Sequence, residues 1–403
     1  MKILIYSDFY KDASGFAKEV KDIIPGFLKA GHDVRQVGLK YNGLVDTQNE
    51  IHVYPTRIQG PKSYWSPEVL DFAIEDFQPD IILTIQDYFV NPYLSPALSR
   101  PRKKPFKWVH WGLADGEPIL RGILESNTWV HYHIFQSEFA KNALENSLKK
   151  WVRSDVDFSK NEVIYPSVDT NIFKPLNKNK CKEELKLKDK FVLSFIARNQ
   201  FRKNVPCLLE AVKKLIPQIS NIMLLFRSIE TVTPEQQKEG YDIAAIVKDL
   251  GILDYVADVR TAEGKMLSDK SINKLYNASD IFVLPTMGEG FGLCFTEAMA
   301  AKVPCVGTNY SAVPEVLGDG RGYLVNPDSY IYAGGETKHA ILNSDKLANA
   351  IYKVYKNPIL RRNMVKKSYK WIQDLTPEMV SNKLLKVFTK VLKEDKQPLA
   401  IDE

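Results

Sequence analysis

Two carboxylates and three glycines share one short run of this chain: Gly288, Glu289, Gly290 and Gly292, then Glu297, eight positions after the first glutamate. The apolar stretch from Ile281 to Pro285 reads as a strand, and the residues after Gly292 read as a helix. The glycines and Glu289 therefore occupy a strand-to-helix turn. The first amides of a helix lack intrahelical partners and carry the positive end of its dipole, so such a turn is an anion site suited to phosphate. Glycine there lets the backbone come close to a ligand and take positive φ where needed. A carboxylate so near phosphates would be repelled by them, which suggests that both glutamates accept hydrogen bonds from sugar or ribose hydroxyls instead. Either glutamate taken alone is better explained as a loop-surface charge or an ordinary acid in the first turns of a helix.

A second cluster stands about ninety residues earlier, where a strand from Phe191 to Ala197 runs into Arg198, Arg202 and Lys203. Cations at a strand's carboxyl end suit a diphosphate, with arginine supplying a planar fork and lysine a point charge. Standing alone it would read as a basic surface loop; paired with the glycine turn it points to one site.

The elements that must position these residues alternate between strand and helix. Strands are expected at Lys2 to Ser7, Asp33 to Gly38, Asp80 to Gln86, Phe106 to Trp111 and Val130 to Gln136, then at Phe191 to Ala197, Ile222 to Phe226, Val256 to Thr261, Ile281 to Pro285, Pro304 to Gly307 and Tyr323 to Val325. Helical patterns cover Gly15 to Ala30, Pro67 to Phe77, Ser137 to Lys149 and Pro206 to Ile219. Apolar strands alternating with helices imply an α/β fold with two doubly wound parallel sheets, and ligands of such sheets bind at the strands' carboxyl ends. A chain of 403 residues is expected to form two domains. The turn-rich stretch from Pro166 to Pro175 and the lysine-rich segment 177–190 mark the linker, giving domains 1–170 and 171–376, with the C-terminal helix 377–403 packing back on the first.

Composition narrows the class. With 44% hydrophobic and 26% charged residues the chain is an ordinary globular one, with apolar runs of strand length only. Met1 to Ser7 begins like a strand rather than a signal peptide, so a cytoplasmic location is expected. Cys181, Cys207, Cys294 and Cys305 lack metal or redox spacing and read as buried free thiols. The net charge of +6 gathers in clusters at 100–105, 149–153, 178–182 and 361–367. These are solvated faces or, alternatively, a peripheral contact with anionic headgroups at the inner face of a membrane. No motif supports nucleic-acid binding. Asp155 and Asp157 have metal-holding spacing but sit in a polar stretch away from a strand end, and are taken as surface.

On these residues the chain resembles the retaining GT-B glycosyltransferases of family 4, the glycosyl transferases group 1. Arg198 and Lys203 match that group's arginine and lysine five apart, and Glu289 and Glu297 its paired glutamates in a Glu-Gly-Phe-Gly-Leu setting. Val163 to Pro175 resembles its interdomain segment, and Ala301 to Pro304 followed by Val313 to Glu315 its downstream pattern. The resemblance covers nearly all of the second domain and is thinner over the first.

The resemblance implies two Rossmann-like domains facing across an interdomain cleft, the first on the acceptor side and the second binding the donor. It implies that Arg198 and Lys203 hold the donor's diphosphate and that Glu297 binds the ribose. Glu289 and the turn Gly290, Phe291, Gly292 and Leu293 would face the sugar and phosphates. Arg260 and Thr261 would lie by the base, His110 at the sugar's reactive side, and Gly15 in a loop over the phosphates. The chain departs from the pattern at Ser14, where the family usually has a glycine before Gly15, and at Ala197 and Asn204, beside the cations. The reaction expected is hexosyl transfer from a nucleotide-diphosphate sugar to a hydroxyl of a sugar, a lipid-linked acceptor or a protein, with retention and with no cofactor or metal. The alternatives are a non-catalytic sugar-nucleotide-binding protein and a nucleotide-sugar epimerase. Tyr64, Trp65, Trp108, Trp111 and Trp129 either stack on an acceptor or fill the core.

Overall fold

The computed structural model describes residues 1–43, 50–57, 65–229, 240–259, 267–333 and 337–399. Two compact units form: Met1–Ser167 with Leu375–Glu403, and Val168–Gly334 with Lys338–Asp374. Each is built on a six-stranded sheet.

The first unit's strands are β1 (Lys2–Asp8), β2 (Asp33–Leu39), β3 (His52–Pro55), β4 (Ile81–Thr84), β5 (Lys107–Gly112) and β6 (Tyr132–Phe135). They lie in the order β3-β2-β1-β4-β5-β6, all parallel. Ile3, Ile5, Leu4 and Tyr6 alternate between the two faces of β1, and each face has its own apolar core. Burial on both faces is why these strands read as continuous apolar runs. β3 escapes sequence reading because it is four residues long, carries an exposed His52 and ends in Pro55.

The second unit's strands are β7 (Phe191–Arg198), β8 (Ile222–Ile229), β9 (Val256–Asp258), β10 (Ile281–Leu284), β11 (Cys305–Thr308) and β12 (Tyr323–Val325). Their order is β12-β11-β10-β7-β8-β9, again all parallel. A hairpin, β13 (Ser329–Tyr332) with β14 (Lys338–Ile341), was not legible because every residue of β13 is exposed and no apolar alternation marks it.

The helix Pro377–Lys393 packs on the first helix, Gly15–Lys29, with Phe27 and Phe388 in edge contact at 5.7 Å between ring centroids. The lysine-rich segment is no linker. Asn177 caps a helix, Lys178–Glu184, and buried Lys182 donates to Asp280 Oδ2 at 2.6 Å while Lys178 reaches Oδ1 at 3.0 Å. The chain just before it is fastened to the second unit, where Asn273 and Asn277 accept from the amides of Lys174 and Leu176.

The other basic clusters are largely engaged by the chain itself. Arg100 and Arg102 pair with Asp71, Lys104 with Asp80 and Lys149 with Glu145. Arg361 donates to the carbonyls of Val354 and Tyr355, and Lys367 to Asp319 O. Arg153 forks onto Asp155, while Asp157 accepts from Ser159, so the Asp-x-Asp spacing is used in local surface contacts. Cys181, Cys207 and Cys305 are buried free thiols as read, but Cys294 is only half-buried. It is the second residue of its helix, in a first turn whose leading two residues are half-buried. No helix among the described residues is long and apolar enough to cross a membrane.

Candidate functional site

In the second unit β10 delivers the chain into the glycine turn, and the helix Leu293–Ala300 leaves it. Of the three glycines only Gly292 takes the left-handed region, at φ 103, where it caps the helix. A Cβ there would sit 2.9 Å from Phe295 Cδ2, so glycine is required by both backbone and space. Leu293 and Cys294 are half-exposed, which leaves the first turn open to an anion.

Hydrogen bonds stitch this turn to the loop after β7. The Met287 amide donates to Arg202 O at 2.6 Å, and Arg202 Nη1 donates to Gly288 O at 2.9 Å. Thr286 Oγ1 lies 3.1 Å from Arg202 O and 2.8 Å from Gly288 O. Ser311 Oγ accepts from the Glu289 amide at 2.8 Å. The two motifs read separately in the sequence thus form one structure.

Its centre is charged. Lys203 Nζ donates to Glu289 Oε1, and Arg202 Nη1 stands 3.3 Å from Oε2. Glu289 and Lys203 are 5% and 6% exposed, so this is a buried ion pair. Burial pushes the Glu289 carboxyl up, but Lys203 and Arg202 override it and hold the group below its ordinary range. Arg198 ends β7 half-buried, and among the described residues its side chain has no hydrogen-bond or ion-pair partner. Asn204 follows in the left-handed region at φ 53, which explains why asparagine can stand where a glycine is common. Glu297 is buried in the helix, where its Oε2 accepts from Tyr276 O–H at 2.9 Å. Burial, with Glu297 beside it, pushes the Tyr276 hydroxyl well above its ordinary value, so it stays a donor.

Gly15 and His110 belong to the first unit. Gly15 is the exposed first residue of its helix, and Ser14 is the N-cap, its hydroxyl accepting from the Ala17 amide at 3.0 Å. Serine in place of a first glycine thus supplies a cap. His110 is fully buried on β5, and burial, with His133 nearby, pushes its imidazole well below the ordinary histidine value. Thr84 Oγ1 accepts from Trp108 Nε1 at 3.0 Å and lies 2.7 Å from His110 Nδ1, against 3.5 Å from Val109 O. The threonine proton is best used on Nδ1, which assigns the imidazole hydrogen to Nε2. That Nε2 has no partner among the described residues. His110 is thus held neutral, and on this tautomer assignment its Nε2 is a hydrogen-bond donor. Trp108 and Trp111 are core residues, whereas Trp129 is exposed.

Arg260, Thr261 and Tyr64 lie outside the described residues. Sequence reading gave no role to Thr286, Ser311 or Tyr276, and left Arg202 as one cation of three. Only Arg202 had a local signal, its place beside Lys203. The others arrive from separate elements.

Residues 177–371 match the family described as glycosyl transferases group 1. A probable sucrose-phosphate synthase of Thermosipho melanesiensis is 30% identical over 203 residues, 47% of this chain and 42% of that protein. The chain spans about half the length of the curated relatives it matches. Among solved structures, the sucrose-phosphate synthase of Thermosynechococcus elongatus shares the fold with a TM-score of 0.76 at 18% identity, over 98% of this chain and 100% of that one. HepE of Anabaena in complex with UDP-glucose shares it with a TM-score of 0.70 at 17% identity, over 97% and 100%. At these identities the likeness of the structures is one of fold.

Proposed function

We propose that the chain, whose residues 177–371 match the glycosyl transferases group 1 and whose fold is that of GT-B structures, moves a hexosyl unit from a nucleotide-diphosphate sugar to a hydroxyl acceptor, with retention of anomeric configuration and without a metal. The observation that carries this reading is the joined motif of the second unit: Lys203 and Arg202 on Glu289, with Arg198, whose side chain has no partner among the described residues, alongside in sequence, and the helix that starts at Leu293 following the turn. UDP-glucose in the HepE structure supports a nucleotide-sugar donor.

The chemistry follows from charge. When the bond from the anomeric carbon to the diphosphate breaks, its electron pair leaves with the phosphate oxygen, and the sugar gains oxocarbenium character. Arg198 and Lys203 stabilise that leaving charge and need no reorganisation at the moment of reaction. Before the donor arrives, Glu289 neutralises Lys203. An incoming diphosphate competes for the lysine and frees the carboxylate to accept hydroxyl protons from the sugar. Glu297, already oriented by Tyr276, accepts from the ribose. The acceptor oxygen attacks from the face the leaving group departs, and its proton passes to the leaving phosphate oxygen. His110 is assigned to the sugar's reactive side, where on this tautomer Nε2 would be the donor. Arg260 and Thr261 are assigned to the base, and Gly15 with the turn Gly290, Phe291, Gly292 and Leu293 to the phosphates.

A nucleotide-sugar screen by thermal shift identifies the donor, because a ligand of the folded state raises its melting temperature. Proton NMR of the product formed in excess chelator then reads the anomeric configuration. Retained configuration is expected. Inversion, or a strict requirement for added divalent metal, would overturn the mechanism; consumption of donor without any acceptor would point to an epimerase.

A further inference from the structure

The first unit contains a buried acid that none of the roles above uses. Glu19 lies on the inner face of the helix Gly15–Lys29 and is 4% exposed. Its Oε2 accepts from Gln136 Nε2 at 2.7 Å. Gln136 is fully buried just beyond β6 and tethered by its amide to Gly112 O at 2.9 Å. Its Oε1 has no partner among the described residues. Glu19 forms no ion pair among them either.

Both residues sit at the carboxyl end of the sheet, where open α/β sheets take their ligands. Three further carboxylates act on Glu19: Asp22 from its own helix, Asp87 after β4 and Asp8 at the end of β1. Asp8 is met by Lys40 at 3.2 Å, and Asp22 accepts from Ser167 Oγ at 2.8 Å, but among the described residues no cation offsets Glu19 itself. Burial first, then these carboxylates, push the Glu19 carboxyl up to about 8, so it is largely neutral near pH 7. A buried carboxyl and amide with an acceptor atom to spare are costly as packing, since an apolar pair would fill the space without leaving a polar atom unmatched. They are suited to a ligand that brings hydroxyl donors. The surrounding aspartates repel a phosphate or carboxylate.

We propose that Glu19 and Gln136 form an acceptor-binding site for a hydroxyl of a polyol or sugar that carries no anionic group at this end. The carboxyl and Gln136 Oε1 accept from the incoming hydroxyls, and Glu19, when protonated, donates in return. The inference rests on the glycosyl-transfer reading above and adds the acceptor's class.

The test uses the full chain and the donor found in the screen. Nucleoside diphosphate release is measured in water alone, then with glucose, fructose, mannose, inositol, their methyl glycosides where these exist and short oligosaccharides, and with the monophosphate of each monosaccharide. A neutral member is expected to speed release beyond hydrolysis, and its phosphate to do so at least tenfold less well. Response to the phosphates alone, or to no member, overturns the inference while leaving donor chemistry intact. No donor binding and no hydrolysis would instead sink the transferase reading itself. For the accepted sugar, Glu19→Gln and Gln136→Leu should each raise acceptor KM about tenfold, and at least fivefold more than donor KM. Equal shifts in both KM values, or none in either variant, contradict a hydroxyl site; if neither variant folds, the wild-type panel decides.

Discussion

The two units place polar groups at the carboxyl ends of similar sheets in opposite ways. In the second, Lys203 and Arg202 close on Glu289 and Tyr276 on Glu297, with Arg198 left as the cation whose side chain has no partner among the described residues. In the first, buried groups are left wanting: among the described residues His110 Nε2, His133 Nδ1, Tyr88 O–H and Gln136 Oε1 lack partners, and Glu19 lacks a cation. A charged ligand such as a diphosphate needs fixed cations, and a buried one such as Lys203 must be neutralised while it waits. A ligand that offers hydroxyls needs unfilled hydrogen-bonding capacity held in place by packing. On the proposed function, the contrast is that of a donor site and an acceptor site.

The strongest way to break this comparison is Lys203→Ala. It leaves Glu289 buried with only the more distant Arg202, and should cost about 3–5 kcal/mol of stability by denaturant melts along with at least about a hundredfold in rate. Loss of neither would mean that the pair is ornamental.

The two buried carboxyls should titrate with opposite sign. Folded Glu19 keeps its proton to about 8, against an ordinary value of 4.5, so the folded state binds the extra proton in that window and stability falls as pH rises through it. Glu19→Gln should therefore gain on the wild type by about 1.4 kcal/mol for each pH unit across that window, read by melts from pH 5 to 8. Glu289 is held below its ordinary 4.5, so its contribution is present above that value and disappears as the pH falls below it. Glu289→Gln should flatten the wild type's acid loss; parallel profiles for the two variants would erase the distinction.

Gly112→Ala probes the close packing that holds His110 and Tyr88. A Cβ there would stand 2.5 Å from His110 Nε2 and 2.6 Å from Tyr88 Cε1. A loss of about 1–3 kcal/mol is expected, with a chemical-shift change at the His110 ring. The smallest effect belongs to Tyr276→Phe, which removes one hydrogen bond from Glu297. Donor KM should rise a few-fold and stability fall by about 1 kcal/mol, with kcat nearly kept.

The same contrast explains what the sequence let one read. Arg198 with Lys203, and Glu289 with Glu297, lie within single strand-turn-helix passages, so spacing along the chain carries their geometry. The ion pair of Lys203 with Glu289 was beyond reach, because it joins loops 86 residues apart. In the first unit Glu19, Thr84, Tyr88, Gly112 and Gln136 come from five separate segments, and nothing in their neighbours marks them. Eleven of the twelve sheet strands were legible from apolar runs, while β3 and the exposed hairpin lacked one. Lys178 and Lys182 read as a linker's charge because Asp280, their partner, is about a hundred residues away.

The central claim, that the second unit's cations carry the leaving group, is tested most directly by nucleoside diphosphate release from the screened donor in excess chelator, for the wild type and for Arg198→Ala. Arg198 has no partner within the described residues to lose, so the variant should melt like the wild type. The account predicts metal-free turnover by the wild type and a fall of about a hundredfold or more in the variant. Turnover that Arg198→Ala leaves near the wild-type rate would contradict it.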